Sequence, residues 1–140
     1  MKRSEIRQAA GARRKYYKMT LEVINEVFSI CKLNDYSQTD INVPLIFTGS
    51  TDKEKSMVCP TRLLPSNVVE RSDGWRAFRI EGVLDFSLIG ILAKISAILA
   101  GNGIGIFAVS TFNTDYILTK ADRFEEALQL LSSAGYAIKY

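Results

Sequence analysis

Residues 75–119 read WRAFRIEGVLDFSLIGILAKISAILAGNGIGIFAVSTFNTDYILT, and the spacing of their apolar residues decides the fold. Bulky apolar and charged residues alternate over residues 75–81, which is the pattern of a β-strand with one buried face. Over residues 88–99 the apolar residues recur at intervals of three and four, which predicts one face of a helix. Asp85 or Ser87 would cap this helix, because a side-chain oxygen there can accept a hydrogen bond from its first backbone N–H groups.

The residues that follow complete the order of elements. Two apolar stretches, at residues 104–109 and 116–119, flank a polar segment that contains Asn, which predicts two antiparallel strands joined by a short turn. A second helix, capped by Asp122, would run to Gly135, and residues 136–139 would form a last strand. The resulting βαββαβ order is that of the α+β, ferredoxin-like fold, in which two helices cover one face of a four-stranded antiparallel sheet.

A short sequence repeat relates the first half of the chain to the second. Residues 46–51 lie 60 positions before residues 106–111, and four of the six residues are identical. Such repetition indicates a duplicated unit. Chance similarity is the alternative, because Ile, Phe, Ser and Thr are all common around strands. Residues 21–24 and 27–33 would form strands of the first copy, separated by Asn25 and Glu26.

The first copy is shorter than the second. Residues 34–43 are polar and lack the apolar spacing of an amphipathic helix, and only residues 60–64 indicate a short helical turn. We therefore predict two tandem units, of which the first is abbreviated and depends on the second for its core. The predicted boundaries are residues 1–18 for a basic extension, 19–72 for the first unit and 73–140 for the second.

Composition disfavours an enzyme. The 140 residues include no histidine, which removes the commonest general base and the commonest metal ligand. Cys31 and Cys59 stand 28 positions apart without a CxxC pair, so neither a zinc site nor a disulfide framework is indicated, and free thiols are typical of the reducing cytoplasm. We therefore predict no catalytic residue, no metal site and no cofactor. No apolar run approaches the roughly 18 residues that a membrane-spanning helix needs.

The net charge of +3 hides an asymmetry. Residues 1–18 hold seven Lys or Arg and one Glu, for a charge of +6, whereas the remaining residues carry −3. A basic extension of this kind can attract nucleic acid or an anionic surface. A solvated extension with no partner is the simpler interpretation.

Two polar loops in the second unit are candidates for ligand binding. The first, residues 82–92, leads into a helix N-terminus, where backbone N–H groups and the helix dipole favour a carboxylate or phosphate. Internal capping by Asp85 or Ser87 is the alternative. The second loop, residues 110–115, supplies hydroxyl, amide and carboxylate groups for both ends of an amino acid, although Asn-Thr-Asp is also ordinary turn chemistry.

The predicted fold does not bring these two loops together within one unit. Strands one and three of the βαββαβ unit would lie at the centre of the sheet, with strand two beside strand one. The two loops then need not share one end of the unit. A site that uses both would span two units, so we predict pairing between repeats or between copies of the chain.

These residues resemble those of a known family. The runs at residues 74–92 and 106–118 are similar to two sequence blocks of the small tandem ACT proteins, which are related to the regulatory ends of aspartate kinases and to the cytosolic arginine sensors. Weaker matches at residues 28–33 and 56–60 extend the resemblance to roughly residues 20–140.

The resemblance implies a regulatory module that binds an amino acid between ACT units and catalyses no reaction. Carried over residue by residue, it assigns the ligand to two segments, namely Asp85, Phe86, Ser87 and Leu88, then Ser110, Thr111, Asn113, Thr114 and Asp115. One departure from the family pattern is Ile89 before Gly90, where the family commonly has Thr. This departure removes a hydroxyl group beside the implied pocket.

The resemblance further implies a cytoplasmic homodimer that acts on a separate protein, because the 140 residues contain no catalytic domain. No membrane association is expected. Two alternatives stay open, namely an interaction domain that retains no ligand and a nucleic-acid binder that uses the basic extension. Removing residues 1–18 separates the nucleic-acid binder from the amino-acid module, because nucleic-acid affinity would then collapse whereas amino-acid binding would persist.

Overall fold

Two compact units make up the part of the chain that the structure describes. The computed structural model describes residues 19–81 and 90–140. We name Glu26–Arg76 the central unit, and we name the described residues up to Asn25 together with Ala77–Tyr140 the outer unit. The predicted boundary at residue 72 stays a prediction.

Seven strands and three helices occur among the described residues. In chain order they are β1 (Thr20–Leu33), β2 (Phe47–Ser50), β3 (Lys55–Pro60), a short 3-10 helix (Thr61–Leu63), β4 (Val68–Ile80), α1 (Ile91–Ala100), β5 (Phe107–Ser110), β6 (Asp115–Lys120), α2 (Ala121–Ser133) and β7 (Ala137–Lys139). Strands β1 and β4 are long, and each contributes residues to both units.

The outer unit has the predicted α+β, ferredoxin-like organisation, with one difference in its sheet. Its strand order is β7-β1-β4-β6-β5. Strand β1 therefore lies between β4 and β7, where it pairs in parallel with β7, Thr20 opposite Ala137. The predicted position of strand two beside strand one is wrong, because β6 separates β5 from β4. This order places the β5–β6 turn beside the end of β4.

Three local predictions are also corrected. Strand β1 runs without interruption through Asn25 and Glu26, where the sequence suggested a break. Helix α1 begins at Ile91, so neither Asp85 nor Ser87 is its N-cap; that position is held by Gly90, whose φ of 81° suits a residue without a side chain. The N-cap of α2 is Lys120 rather than Asp122. Asp122 lies in the first turn of α2, where a carboxylate still interacts favourably with the helix dipole.

One face of the outer sheet carries the hydrophobic core. Phe78 of β4 packs against Phe124 of α2, with ring centroids 6.4 Å apart. The buried residues of this core come from the sheet, from both helices and from the segments that follow them, namely Leu21, Phe78, Ile80, Ile95, Leu99, Ile104, Ile117, Phe124, Ala127, Leu128, Leu131 and Tyr136. Because side chains alternate across a strand, the residues next to these along β1, β4 and β6 lie on the opposite face. That face carries Glu22, Arg79 and Tyr116.

The central unit is built on a sheet of order β2-β3-β1-β4. It has a small core in which Cys31, Leu33, Met57 and Cys59 are buried. The sequence prediction of only a short helical turn near residues 60–64 is confirmed by the three-residue 3-10 helix.

Candidate functional site

The turn between β5 and β6 is held in shape by its own threonines. The backbone N–H of Thr111 donates to the carbonyl oxygen of Thr114 at 2.9 Å. The Thr111 hydroxyl donates to the same carbonyl at 2.9 Å and accepts from the Thr114 N–H at 3.4 Å. Threonine is favoured at this position because its hydroxyl can form hydrogen bonds with backbone groups two or three residues away. The polar segment found in the sequence is therefore a compact, closed turn.

A buried hydroxyl attaches this turn to the end of β4. Thr114 is buried, and its Oγ1 donates to the carbonyl oxygen of Ile80 at 2.8 Å. A buried carbonyl without a partner costs about 1–3 kcal/mol, so this hydrogen bond fixes the turn to the strand end. Strand β4 ends at Ile80, next to Glu81.

A network of positively and negatively charged side chains crosses the sheet beside this turn. The Arg79 Nε of β4 donates to Glu22 Oε1 of β1 at 2.6 Å, and its Nη2 forms an ion pair with the same oxygen. The Arg79 Nη1 donates to the Tyr116 hydroxyl at 3.2 Å. Lys139 of β7 lies 3.0 Å from a carboxylate oxygen of Glu81 and 3.5 Å from one of Glu22. Two acids, two bases and a phenol thus form one connected network.

Contacts within the network favour the charged forms of Glu22, Arg79 and Lys139. The Arg79 side chain, through its hydrogen bond, lowers the pKa of Glu22. The hydrogen bond with Tyr116 is the largest cause of the raised pKa of Arg79. The hydrogen bond with Glu81 leads the causes that raise the pKa of Lys139. At neutral pH the site therefore presents fixed charges of both signs.

A pocket of about 350 Å³ opens between the turn and the network. Its lining residues come from β1, from the end of β4 and from the turn and its flanks, namely Glu22, Arg79, Ile80, Glu81, Thr111, Asn113, Thr114 and Tyr116. This volume lies at the lower end of the range of small-molecule sites. The pocket combines a guanidinium group, two carboxylates, an amide and hydroxyl groups around a small volume.

The residues that the sequence assigned to the ligand fall into three groups. Thr111, Asn113 and Thr114 line the pocket together. Ser110 and Asp115 face each other at the end of the hairpin, where the Ser110 hydroxyl donates to Asp115 Oδ1 at 2.6 Å. Asp85, Phe86, Ser87 and Leu88 lie outside the described residues. The full set of ligand residues stays a prediction.

Five lining residues were not proposed from the sequence, namely Glu22, Arg79, Ile80, Glu81 and Tyr116. Glu22, Arg79 and Glu81 supply all of the charge of the lining. A signal for two of them was present in the sequence, because Arg79 and Glu81 alternate with the apolar Phe78 and Ile80 in the strand predicted over residues 75–81, which places both on its other face. Nothing local indicated Glu22, which meets Arg79 across 57 positions of sequence.

The thiols of the central unit are unsuited to nucleophilic chemistry. Cys31 and Cys59 are buried and free. Burial raises the pKa of Cys59 to about 11 and also raises the pKa of Cys31. Both thiols are therefore protonated at neutral pH, whereas the thiolate is the reactive form of cysteine.

The described residues contain neither a cluster suited to a metal ion nor a membrane-spanning helix. No group of three or more His, Cys, Asp or Glu side chains within residues 19–81 and 90–140 is arranged to hold a metal ion. Over the same residues no helix has the length and apolar character needed to cross a membrane.

Comparisons with known proteins identify one family over part of the chain. The family model for the ACT domain matches residues 70–133. A protein from Agobacterium tumefaciens of known crystal structure is 30% identical, with a TM-score of 0.76 over 87% of this chain and 92% of that chain. No curated protein sequence matches the chain.

Two more distant structures share the fold. A Vibrio cholerae protein of unknown function, described as a possible transport protein, is 18% identical, with a TM-score of 0.63 over 83% of this chain and 89% of that chain. The ligand-free regulatory subunit of aspartate kinase from Thermus thermophilus is 13% identical, with a TM-score of 0.57 over 81% of this chain and 95% of that chain.

Proposed function

The chain contains an ACT domain, matched over residues 70–133, and from this premise we propose that the protein is a regulatory module that binds a free amino acid and catalyses no reaction. ACT domains are small-molecule regulatory modules. The observation that carries the proposal is the pocket beside the β5–β6 turn. Three of the residues that the sequence assigned to a ligand, Thr111, Asn113 and Thr114, line this pocket together.

The chemistry of the pocket supports an amino acid as ligand. An amino acid carries a carboxylate, which needs cationic or N–H donors, and an ammonium group, which needs acceptors. Arg79 supplies the first, and Glu22 and Glu81 supply the second, within one pocket of about 350 Å³. The closed turn between β5 and β6 holds one wall of the pocket in place before a ligand arrives, which lowers the cost of ordering the site on binding.

Absence of catalysis is supported by the available side chains. The sequence contains no histidine to act as a general base. The two thiols are kept protonated by burial. Binding coupled to a change in another protein is then the proposed mode of action.

The proposed organisation is two tandem ACT units, the first abbreviated. It is supported by the two hairpins, whose strands pair in the same register 60 positions apart. Ser50 lies opposite Lys55 in one hairpin, and Ser110 lies opposite Asp115 in the other. A helix follows each hairpin directly, with three residues after β3 and 13 after β6.

The assembly and location follow the same proposal. We propose a cytoplasmic homodimer in which the ligand lies between ACT units, with Asp85, Phe86, Ser87 and Leu88 and the β5–β6 segment as its two sides. The regulated partner is a separate protein. Free buried cysteines support a reducing compartment.

A thermal-shift screen of the purified protein against the twenty amino acids at millimolar concentration tests this function. A ligand that binds only the folded state raises the melting temperature, and at 100 times Kd the stabilisation is about 2.7 kcal/mol. We expect a selective hit, confirmed by calorimetry, whose affinity falls in Asn113→Ala. A matched control is Asn34→Ala, which removes an exposed asparagine of the central unit and leaves binding unchanged. No shift with any amino acid, in a protein that melts cooperatively, would exclude the sensor function.

A further inference from the structure

We infer that the pocket beside the β5–β6 turn selects a neutral α-amino acid in its zwitterionic form, with Arg79 as the anchor of the ligand carboxylate and Glu81 as the anchor of its ammonium group. This inference rests on the proposed function and deepens it. It assigns ligand contacts to two residues outside the segments that the sequence indicated.

Arg79 is prepared to hold a carboxylate. A guanidinium group carries five N–H donors in a planar fork. The contacts with Glu22 and Tyr116 use Nε, Nη1 and Nη2 once each. Because each Nη carries two hydrogens, the group keeps donors for a further acceptor while Glu22 and Tyr116 fix its orientation. An oriented guanidinium group that lines a pocket is suited to bidentate recognition of a carboxylate.

Glu81 is placed to receive an ammonium group. It lines the same pocket and follows the last residue of β4. Its Oε1 accepts a hydrogen bond from Lys139 at 3.0 Å, so the side chain is directed by a partner on β7. An ionised carboxylate has about four acceptor sites on its two oxygens, so Oε2 and the second lone pair of Oε1 can serve a ligand.

The balance of charge indicates which amino acids fit. Arg79 and Lys139 carry two positive charges, and Glu22 and Glu81 carry two negative charges, all joined in one network. A zwitterion with an uncharged side chain adds one charge of each sign and keeps the balance. A third charge on the ligand would enter a small site whose acids and bases are already paired, and an unpaired charge in a partly desolvated site is costly. The pocket therefore discriminates against acidic and basic amino acids.

The test combines ligand and protein changes in calorimetry. The probes are the tightest-binding amino acid of the twenty and its α-carboxamide, which keeps the ammonium group but loses the negative charge. Wild-type protein should bind the amide about 10- to 100-fold more weakly, which is the effect expected for losing a hydrogen-bonded charge pair. Arg79→Gln should bind the free amino acid about 10- to 100-fold more weakly than wild type does. It should no longer distinguish the amino acid from its amide.

A second arm addresses the ammonium group. Wild-type protein should bind the N-acetyl derivative of the same amino acid poorly, because acetylation removes the positive charge. Glu81→Gln keeps the shape of the side chain but not its charge, and it should lose most of this discrimination. Arg62→Gln is the control for removing an arginine from an ion pair, because it breaks the Arg62–Glu26 pair of the central unit. It should bind the amino acid as wild type does.

The outcomes separate this inference from the function on which it rests. If Arg79→Gln still prefers the acid over the amide, or if the best ligand is Asp, Glu, Lys or Arg, the inference is wrong while amino-acid binding stands. If no amino acid binds the wild-type protein, the proposed function fails and the inference fails with it. Melting curves of each variant are measured first. Should Arg79→Gln not fold, Arg79→Lys replaces it. Because lysine retains the charge but loses the bidentate geometry, its acid-over-amide preference should fall below that of the wild type.

Discussion

The β2–β3 hairpin and the β5–β6 hairpin have the same backbone plan but different surroundings. In each, a threonine N–H donates to a carbonyl three residues later at 2.9 Å, from Thr51 to Glu54 and from Thr111 to Thr114. At the strand pair next to each turn, the two facing side chains form a hydrogen bond. Lys55 donates to Ser50 in the central unit, and Ser110 donates to Asp115 in the outer unit. The shared plan follows from the threonine that closes each turn.

The two hairpins diverge at the residue that ends the turn. Thr114 is buried and donates to the Ile80 carbonyl, whereas Glu54, 60 positions earlier, is exposed. A charged side chain cannot be buried at that position without a partner. A pocket of about 340 Å³ also lies beside the β2–β3 turn. The two hairpins therefore differ in the buried hydroxyl that joins the β5–β6 turn to β4.

The segments after the hairpins diverge even more. Helix α2 has 13 residues and buries four apolar side chains, whereas the segment after β3 makes only three residues of 3-10 helix. Pro65 explains the early stop, because a proline disfavours the helical conformation of the residue before it. Leu64 accordingly has an extended ψ of 129°.

The largest expected effect tests the difference between these two segments. Phe124→Ala removes a fully buried ring that packs against Phe78, and it should destabilise the protein by about 3–5 kcal/mol. Leu64→Ala, at the equivalent position 60 residues earlier, should cost clearly less because Leu64 is only partly buried. Chemical denaturation monitored by circular dichroism measures both. Equal losses would show that the two segments support the fold to the same degree.

A smaller effect is expected at the residue that ends each turn. Thr114→Val keeps the shape of the side chain but leaves the Ile80 carbonyl without its donor, so the free energy of unfolding should fall by about 1–3 kcal/mol. Glu54→Gln, at the matching exposed position, should change it by less than about 0.5 kcal/mol. Urea titration of the two variants measures these changes. A neutral Thr114→Val would contradict the proposed anchoring of the turn.

The smallest effect is expected when one turn is given the sequence of the other. The triple change Asp52→Phe, Lys53→Asn and Glu54→Thr converts TDKE into TFNT while it keeps Thr51. Because the register and the closing hydrogen bond are shared, the free energy of unfolding should change by no more than about 0.5 kcal/mol. Calorimetry with the amino acid identified in the screen should show unchanged stoichiometry. A second binding event would show that the turn sequence alone is sufficient for a site.

Much of the outer unit could be predicted because its signals are local. The alternation before residue 81, the apolar spacing of the two helices and the polar turn all report burial within one element. The polar segment at residues 110–115 was correctly identified as a turn between antiparallel strands. Helix starts were predicted less well, because several residues near each start could serve as a cap and the sequence does not show which one does.

By itself the sequence determined most elements of the outer unit, their order and the absence of any chemistry based on histidine. Only the tertiary structure decided that β1 lies between β4 and β7, and hence that Glu22 meets Arg79 and Lys139. The reason is physical. Periodicity records which face of a strand is buried, but it carries no information about which distant strand lies beside it. The charged half of the pocket is made entirely by such distant pairings.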